Sequence, residues 1–331
     1  MGGRIDNIHQ SSIRIQGTEG HFDAYVFKDK ELKSYCGTII LINGFSVYGQ
    51  DDPRMIHLAR AFAKVGFIII LPSFSDLNRL HIHPRVIAQI ADCIHAVTLD
   101  NLLCPERRVA LLAPSYAGGM TLKAILLPHI RGNISAVLLI GTFFDMDRSM
   151  RYLLSNPSAD DYGRNILLLN FLPYIETHHE ELIPILQMAI DDNGFKKRVP
   201  QLPLLLKRSH PEVVSQWLKI KYDKDWRMSL FENALKSFPH SSAWQQQFDV
   251  IPDLPYLGAP IFLLHGKNDN VIPSSESLDL YAHLKAINKK AFICITPLID
   301  HGDIQQNPFR YLGGISLYHL FNRFINQVSL N

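Results

Sequence analysis

The chain has 331 residues, of which 47% are hydrophobic and 19% are charged, and its formal net charge is +2. This composition is ordinary for a folded protein with a large interior, and the small charge gives no reason to expect a nucleic-acid partner. No apolar run has the length of a secretory leader or a membrane span, so we expect no integral membrane segment. The four cysteines lie far apart along the chain, which is typical of reduced thiols and predicts a cytoplasmic protein.

Strand-like and helix-like patterns alternate along the first part of the chain. Runs of β-branched and large apolar residues predict strands at 22–28, 37–43, 67–71, 108–113 and 135–141. Between them, apolar residues at helical spacing predict helices at 54–65, 85–103 and 117–127. This alternation is typical of an α/β fold, in which crossover helices cover a mostly parallel sheet.

The pattern changes after Phe144. From 145 to 250 no buried strand is evident, and helices are predicted at 148–154, 161–171, 180–190, 211–218 and 226–237. Strands at 260–265 and 290–296 and a closing amphipathic helix at 314–328 follow. We therefore expect one core formed by residues 1–144 and 251–331, with a helical lobe at 145–250 inserted into it.

The segment from Arg108 to Gly119 joins an apolar run, an abrupt Pro-Ser turn and a helix start built from small residues. In a nucleophile elbow, a serine occupies such a strained turn and projects its hydroxyl away from the sheet. Ser115 is therefore a candidate catalytic alcohol. The tight bend favours glycine two residues before and after the serine, and this chain has Ala113 and Ala117 there. A buried strand that runs into a helix capped by serine would explain the same residues.

A catalytic serine needs an imidazole within hydrogen-bonding reach and a third group, usually a carboxylate, that orients the imidazole. Asp269 comes just after the predicted strand at 260–265, and His301 comes shortly after the one at 290–296. Catalytic groups of open parallel sheets gather at the carboxyl ends of strands, so Ser115, Asp269 and His301 are expected to converge. Asp145, after the strand at 135–141, is an alternative acid. An Asp269 that only closes a turn and a His301 on the surface are the alternative interpretations.

The order serine, acid, histidine, with the acid and histidine after successive late strands, resembles the α/β-hydrolase family. Leu-His265-Gly-x-x-Asp269-x-x-x-Pro resembles the acid loop of that family. The resemblance implies a doubly wound, mostly parallel sheet with an inserted helical cap over the active site. It also implies the triad Ser115, Asp269 and His301.

The segment Leu-Ile-Asn43-Gly44-Phe45 resembles the oxyanion loop of the same family, with Asn43 where histidine is usual. The donors of an oxyanion hole are backbone N–H groups, so this replacement is compatible with the function. By the resemblance, the donors are the backbone amides of Phe45 and Tyr116.

The resemblance implies a serine hydrolase that cleaves a carboxylic ester or thioester of a small to medium apolar acyl compound through an acyl-enzyme. Acyl transfer, carbon–carbon bond hydrolysis or peptide cleavage on the same triad are alternatives, as is a non-catalytic ligand-binding homologue. No side-chain cluster supplies three metal ligands at a recognised spacing and no phosphate-binding loop is evident, so neither a metal nor a cofactor is expected. The expected partner is a small-molecule acyl substrate, and homodimer formation is left open.

Overall fold

The computed structural model describes residues 7–18, 20–175, 180–237, 246–301 and 310–329. Its strands are β1 (Ile8–Gln16), β2 (His21–Asp29), β3 (Thr38–Leu41), β4 (Ile68–Pro72), β5 (Val109–Pro114), β6 (Ile134–Ile140), β7 (Ile261–Gly266) and β8 (Ala291–Thr296). They form one sheet in the order β1-β2-β4-β3-β5-β6-β7-β8. The β1–β2 and β2–β4 pairs are antiparallel and the other five pairs are parallel. The predicted α/β fold with a mostly parallel sheet is confirmed.

Helices flank the sheet. The first four are α1 (Pro53–Lys64), α2 (Ser75–Asn78), α3 (Arg85–Leu99) and α4 (Ser115–Ala124). Between β6 and β7 lie α5 (Met146–Ser155), α6 (Asp161–Phe171), α7 (Leu182–Gly194), α8 (Leu202–Arg208), α9 (Pro211–Tyr222) and α10 (Lys224–Ser237). The last two are α11 (Ser275–Ala286) and α12 (Arg310–Ser329). Within the described residues, none of the helices has both the length and the apolar character that a membrane span requires.

Alternate residues of the central strands pack into two apolar cores on opposite faces of the sheet. Ile39 and Leu41 of β3 lie in one cluster with Phe62 of α1 and Phe324 of α12. Ile40 points to the other cluster, which contains side chains of α3, α4 and α11. Because helices cover both faces, every residue of β3 and β4 is buried. This explains why these strands appear in the sequence as continuous apolar runs.

The helices between β6 and β7 share the core on the second face of the sheet. The cluster that contains Ile40 also contains Leu167 of α6, Ile185 of α7 and Phe231 of α10. These helices occupy the segment in which the sequence predicts an inserted lobe. Their buried side chains belong to the same contiguous apolar cluster as those of the sheet, so the segment shares an apolar core with the residues that precede and follow it.

The structure differs from the predicted elements in three respects. The sequence pattern does not predict β1, because this edge strand is mostly polar and only Ile8 and Ile15 are buried. The helix predicted at 85–103 ends at Leu99, because the carboxylate of Asp100 accepts a hydrogen bond from the amide of Leu102 and forms a turn. The pattern also gives no helix at the positions of α2, α8 and α11.

A buried carboxylate joins α11 to the start of α5. Glu276 is fully buried, and its Oε2 accepts hydrogen bonds from the amides of Phe144 at 2.9 Å and Asp145 at 2.7 Å. Arg148 donates to the other carboxylate oxygen and also pairs with the exposed carboxylate of Asp279. The first helix after β6 is therefore tied to the helix between β7 and β8.

We expect Glu276→Ala to lower the free energy of unfolding by about 3 kcal/mol, because it removes the buried acceptor of two amides and of Arg148. Urea denaturation at neutral pH measures this change. Asp279→Asn is the matched control: it removes only the exposed partner of Arg148 and should cost less than about 1 kcal/mol. Equal losses in the two variants would contradict a special role for the buried carboxylate.

Candidate active site

Ser115 lies at the junction of β5 and α4. The backbone of Pro114 is extended, with φ −90° and ψ 156°, and Ser115 then has a positive φ of 57°. A positive φ is uncommon for a residue with a Cβ atom, and it makes the sharp strand-to-helix turn of a nucleophile elbow. Ala113 and Ala117 are fully buried beside the turn, so the bend accommodates their methyl groups.

The two glycines that follow bring α4 against the loop after β6. A Cβ atom on Gly118 would lie 2.6 Å from Oγ1 of Thr142, and one on Gly119 would overlap the ring of Phe143. No side chain fits at either position without moving its neighbours. The pair therefore permits close packing directly behind the serine.

His301 connects Ser115 to Asp269. Its Nε2 lies 2.6 Å from Oγ of Ser115, and its Nδ1 lies 2.8 Å from Oδ2 of Asp269. Oδ1 of Asp269 accepts hydrogen bonds from the amides of Val271 and Ile272, both at 2.9 Å, so Oδ2 is the oxygen presented to the imidazole. The three residues predicted to converge form one hydrogen-bonded chain. Ser115 and His301 are partly exposed, whereas Asp269 is buried.

The sheet explains why these residues meet. β5, β6, β7 and β8 are parallel and adjacent, so their carboxyl ends lie at one edge, where Ser115, Asp269 and His301 follow three of them. Gly141 follows the fourth strand, β6, with a positive φ of 58°. A Cβ atom there would lie 3.2 Å from Oδ2 of Asp269. In the sequence, the only indication of a role for Gly141 is that it is a glycine at the end of a predicted strand.

The loop after β3 lies against the elbow. A Cβ atom on Gly44 would be 3.3 Å from the carbonyl oxygen of Pro114 and 3.5 Å from Cβ of Ser115. The rings of Phe45 and Tyr116 are stacked, with centroids 4.5 Å apart and an interplanar angle of 18°. Within the described residues, neither of these two backbone amides has a hydrogen-bond acceptor. The two residues predicted as oxyanion donors are therefore neighbours beside the serine.

The buried side chain of Asn43 stabilises this loop through hydrogen bonds. It is fully buried, and its Nδ2 donates to the carbonyl oxygen of Gly44 at 3.2 Å and to Oδ1 of Asn78 at 3.4 Å. Nδ2 of Asn78 in turn donates to Oγ of Ser73 at 2.7 Å. An amide side chain at position 43 thus has donors that hold the backbone of the loop in place.

No family model matches the sequence, and no curated protein matches it. Solved structures do match the fold. They include a thermostable esterase from Pseudomonas putida, with 14% identity over 98% of this chain and 82% of that one and a TM-score of 0.54. They also include an acylaminoacyl peptidase from Pyrococcus horikoshii, with 15% identity over 97% of this chain and 41% of that one and a TM-score of 0.52. The chain has the α/β-hydrolase fold.

A puromycin-hydrolyzing peptidase from Mycobacterium tuberculosis also matches, with 14% identity over 97% of this chain and 39% of that one and a TM-score of 0.56. The chain therefore spans about two fifths of the length of the two peptidases but most of the length of the esterase. At these identities the likeness establishes the α/β-hydrolase fold, and the resemblance noted from the sequence is confirmed at that level.

The environment of Asp269 keeps its carboxylate ionised. Burial alone would raise the pKa of Asp269, but the charge of His301 and hydrogen bonds from His265 and His301 outweigh burial and hold this pKa below its usual range. Whenever the ring of His301 is neutral, the ionised Asp269 accepts its Nδ1–H, and Nε2 is then the unprotonated nitrogen that faces the serine hydroxyl. The carboxyl edge of the sheet therefore carries an imidazole, that of His301, directed at the hydroxyl group of Ser115.

The alternative acid has a different place in the structure. Asp145 is the N-cap residue of α5, where its carboxylate accepts a hydrogen bond from the amide of Arg148 at 3.0 Å. Within the described residues, Asp145 has no hydrogen bond to His301. The structure thus brings Asp269, and not Asp145, to the imidazole.

The lowered pKa of Asp269 predicts a pH dependence of stability. Ionised Asp269 contributes to the free energy of unfolding. This contribution is fully present above the pKa of the carboxyl group in the unfolded chain, about 4, and is lost as the pH falls from there toward its lower pKa in the folded protein. From about pH 5 to about pH 3, the wild-type protein should therefore lose more free energy of unfolding than Asp269→Asn. Urea titrations at several pH values measure both curves. Glu106→Gln, which removes an exposed carboxylate, should follow the wild type, and parallel curves for wild type and Asp269→Asn would contradict the assignment.

Proposed function

We propose that this chain is a serine hydrolase that cleaves a carboxylic ester or thioester through an acyl-enzyme. The observation that supports it is the hydrogen-bonded chain from Ser115 through His301 to Asp269. As Oγ of Ser115 attacks the carbonyl carbon, Nε2 of His301 takes the hydroxyl proton. Asp269 orients the imidazole and stabilises the imidazolium that forms.

The tetrahedral intermediate carries a negative charge on the former carbonyl oxygen. In this proposal the amides of Phe45 and Tyr116 donate to that oxygen, and Gly44 keeps the loop close to Ser115. When the intermediate collapses, His301 gives its proton to the leaving oxygen or sulfur. A water molecule, deprotonated by the same imidazole, then attacks the acyl-enzyme and releases the acid and free Ser115. Losing one such amide donor typically lowers kcat by about 100-fold or more.

We propose that the helices of residues 145–250 form a cap on a core formed by residues 1–144 and 251–331. In this proposal the cap selects the acyl group. An apolar cluster supports this role. Phe45 packs against a small buried cluster that consists of Leu80, Ile166 of α6 and Ile190 of α7. The residue proposed to hold the oxyanion therefore borders a cluster that includes two side chains of the cap, and in this proposal an acyl chain bound at Ser115 meets an apolar wall. A small to medium apolar acyl group suits such a wall.

The assignment of the nucleophile is tested by labelling. Wild-type protein should react with a fluorophosphonate probe and hydrolyse p-nitrophenyl esters, and Ser115→Ala should lose the labelling and at least about a thousandfold in kcat. Ser158→Ala, which changes an exposed serine, is the matched control and should behave as wild type. Wild-type activity in folded Ser115→Ala would rule out the proposed chemistry.

The acyl preference is tested with p-nitrophenyl esters of increasing chain length. From acetate to hexanoate, we expect kcat/KM to rise by about two- to fourfold per methylene, because each buried CH₂ contributes up to about 0.8 kcal/mol. A decline for chains beyond medium length should follow. A flat profile would contradict an apolar acyl site. Faster cleavage of peptide p-nitroanilides than of the esters would instead favour peptide cleavage on the same residues.

A further inference from the structure

A second histidine also lies beside Oδ2 of Asp269. His265 is near the end of β7 and is fully buried. Its Nε2 lies 2.9 Å from the carbonyl oxygen of Ile272 and 3.4 Å from Oδ2 of Asp269. Its Nδ1 lies 2.7 Å from Oγ of Ser277, which is fully buried on α11. The imidazole therefore connects a strand, a helix and the loop that carries the acid.

The partners of His265 determine where its proton is. A carbonyl oxygen and an ionised carboxylate can only accept hydrogen bonds, so Nε2 must carry the hydrogen. In the neutral ring Nδ1 is then an acceptor, and the hydroxyl of Ser277 donates to it. Both ring nitrogens have partners, as expected for a polar group that is completely removed from solvent.

Ile272 links this histidine to the acid. Its carbonyl oxygen accepts from His265, and its amide donates to Oδ1 of Asp269 at 2.9 Å. A displacement of the imidazole would move Ile272, and through it the carboxylate whose other oxygen faces His301. An apolar side chain of similar size could fill the volume, but it would leave the carbonyl of Ile272 and the hydroxyl of Ser277 buried without these bonds.

We propose that His265 is a positioning residue for the catalytic acid. By holding Ile272 and contacting Asp269, it fixes Oδ2 where His301 can donate to it. This role rests on the proposed serine hydrolase function, since it concerns the geometry of the same triad. In the sequence, a histidine before a glycine at the end of a predicted strand indicates only a structural residue.

Two substitutions at one position separate positioning from packing. His265→Leu keeps an apolar volume and removes both hydrogen bonds, whereas His265→Gln retains an amide donor for the carbonyl of Ile272. We expect His265→Leu to lower kcat for a p-nitrophenyl ester by about 10- to 100-fold with little change in KM, because His265 is fully buried. His265→Gln should recover most of that loss.

Proton NMR detects the bond between His301 and Asp269 without any substrate. A histidine Nδ1–H bonded to a carboxylate resonates far downfield, and its loss in His301→Gln assigns the signal. We expect the signal in wild type and in His265→Gln, and its loss or broadening in His265→Leu. Thermal melts show whether each variant is folded, and a purely structural role for His265 would lower the melting temperature without removing the signal.

A folded His265→Leu protein with wild-type kcat and an unchanged downfield signal would overturn the proposal. If His265→Leu does not fold, Ser277→Ala provides the same test, with an expected severalfold loss of kcat and a broadened signal, and no change in either would overturn the proposal. The NMR result is independent of ester hydrolysis. Labelling that persists in Ser115→Ala would therefore reject the hydrolase function, while the dependence of the signal on His265 would still decide the positioning role.

Discussion

The site depends on one imidazole that must reach an alcohol and a carboxylate at the same time. Ser115 and His301 are 186 residues apart in the chain, and their strands, β5 and β8, are separated by β6 and β7 in the sheet. Neighbouring strands lie about 4.8 Å apart, so these two strand ends are separated by roughly 14 Å. The loops after β7 and β8 must therefore extend across the end of β6 toward Ser115. Gly141 provides room for them there, because a side chain at this position would meet Oδ2 of Asp269.

Burying the charged carboxylate of Asp269 has an electrostatic cost, which the neighbouring hydrogen-bond donors offset. A buried carboxylate without partners would be strongly destabilised or would bind a proton. Two backbone amides satisfy Oδ1, and the imidazoles of His301 and His265 both lie beside Oδ2. These donors are fixed by the fold before any substrate binds. In the proposed mechanism Asp269 therefore stabilises the imidazolium without reorganising, which is the condition under which electrostatic stabilisation is largest.

The sequence predicts those parts of the fold that depend on patterns along the chain, such as apolar runs and the order of residues. The strands from β3 to β7 are covered on both faces and are continuous apolar runs, and β2 and β8 also contain apolar runs. These seven strands could therefore be located within a few residues, whereas the mostly polar edge strand β1 could not. Ser115, Asp269 and His301 could be proposed because each follows a strand, and their order is a pattern along the chain. Gly141 and His265 could not be recognised in this way, because their roles come from contacts with residues that are distant in sequence. A glycine after a strand and a histidine within one occur in many proteins without such contacts.

The hydrogen bonds of α6 bear on how a substrate would enter the proposed site. Asp160, the N-cap of α6, donates its amide to the carbonyl oxygen of Asn270, the residue after the acid, at 3.0 Å. Near the other end of the helix, the side chain of Asn170 donates to the carbonyl oxygen of Leu80 at 2.8 Å and accepts from the amide of Ile82 at 2.9 Å. A helix bonded near both ends cannot swing away without breaking these contacts, one of which belongs to the acid loop. We therefore regard α6 as a fixed wall of the site, and its position and that of Asp269 as coupled through Asn270.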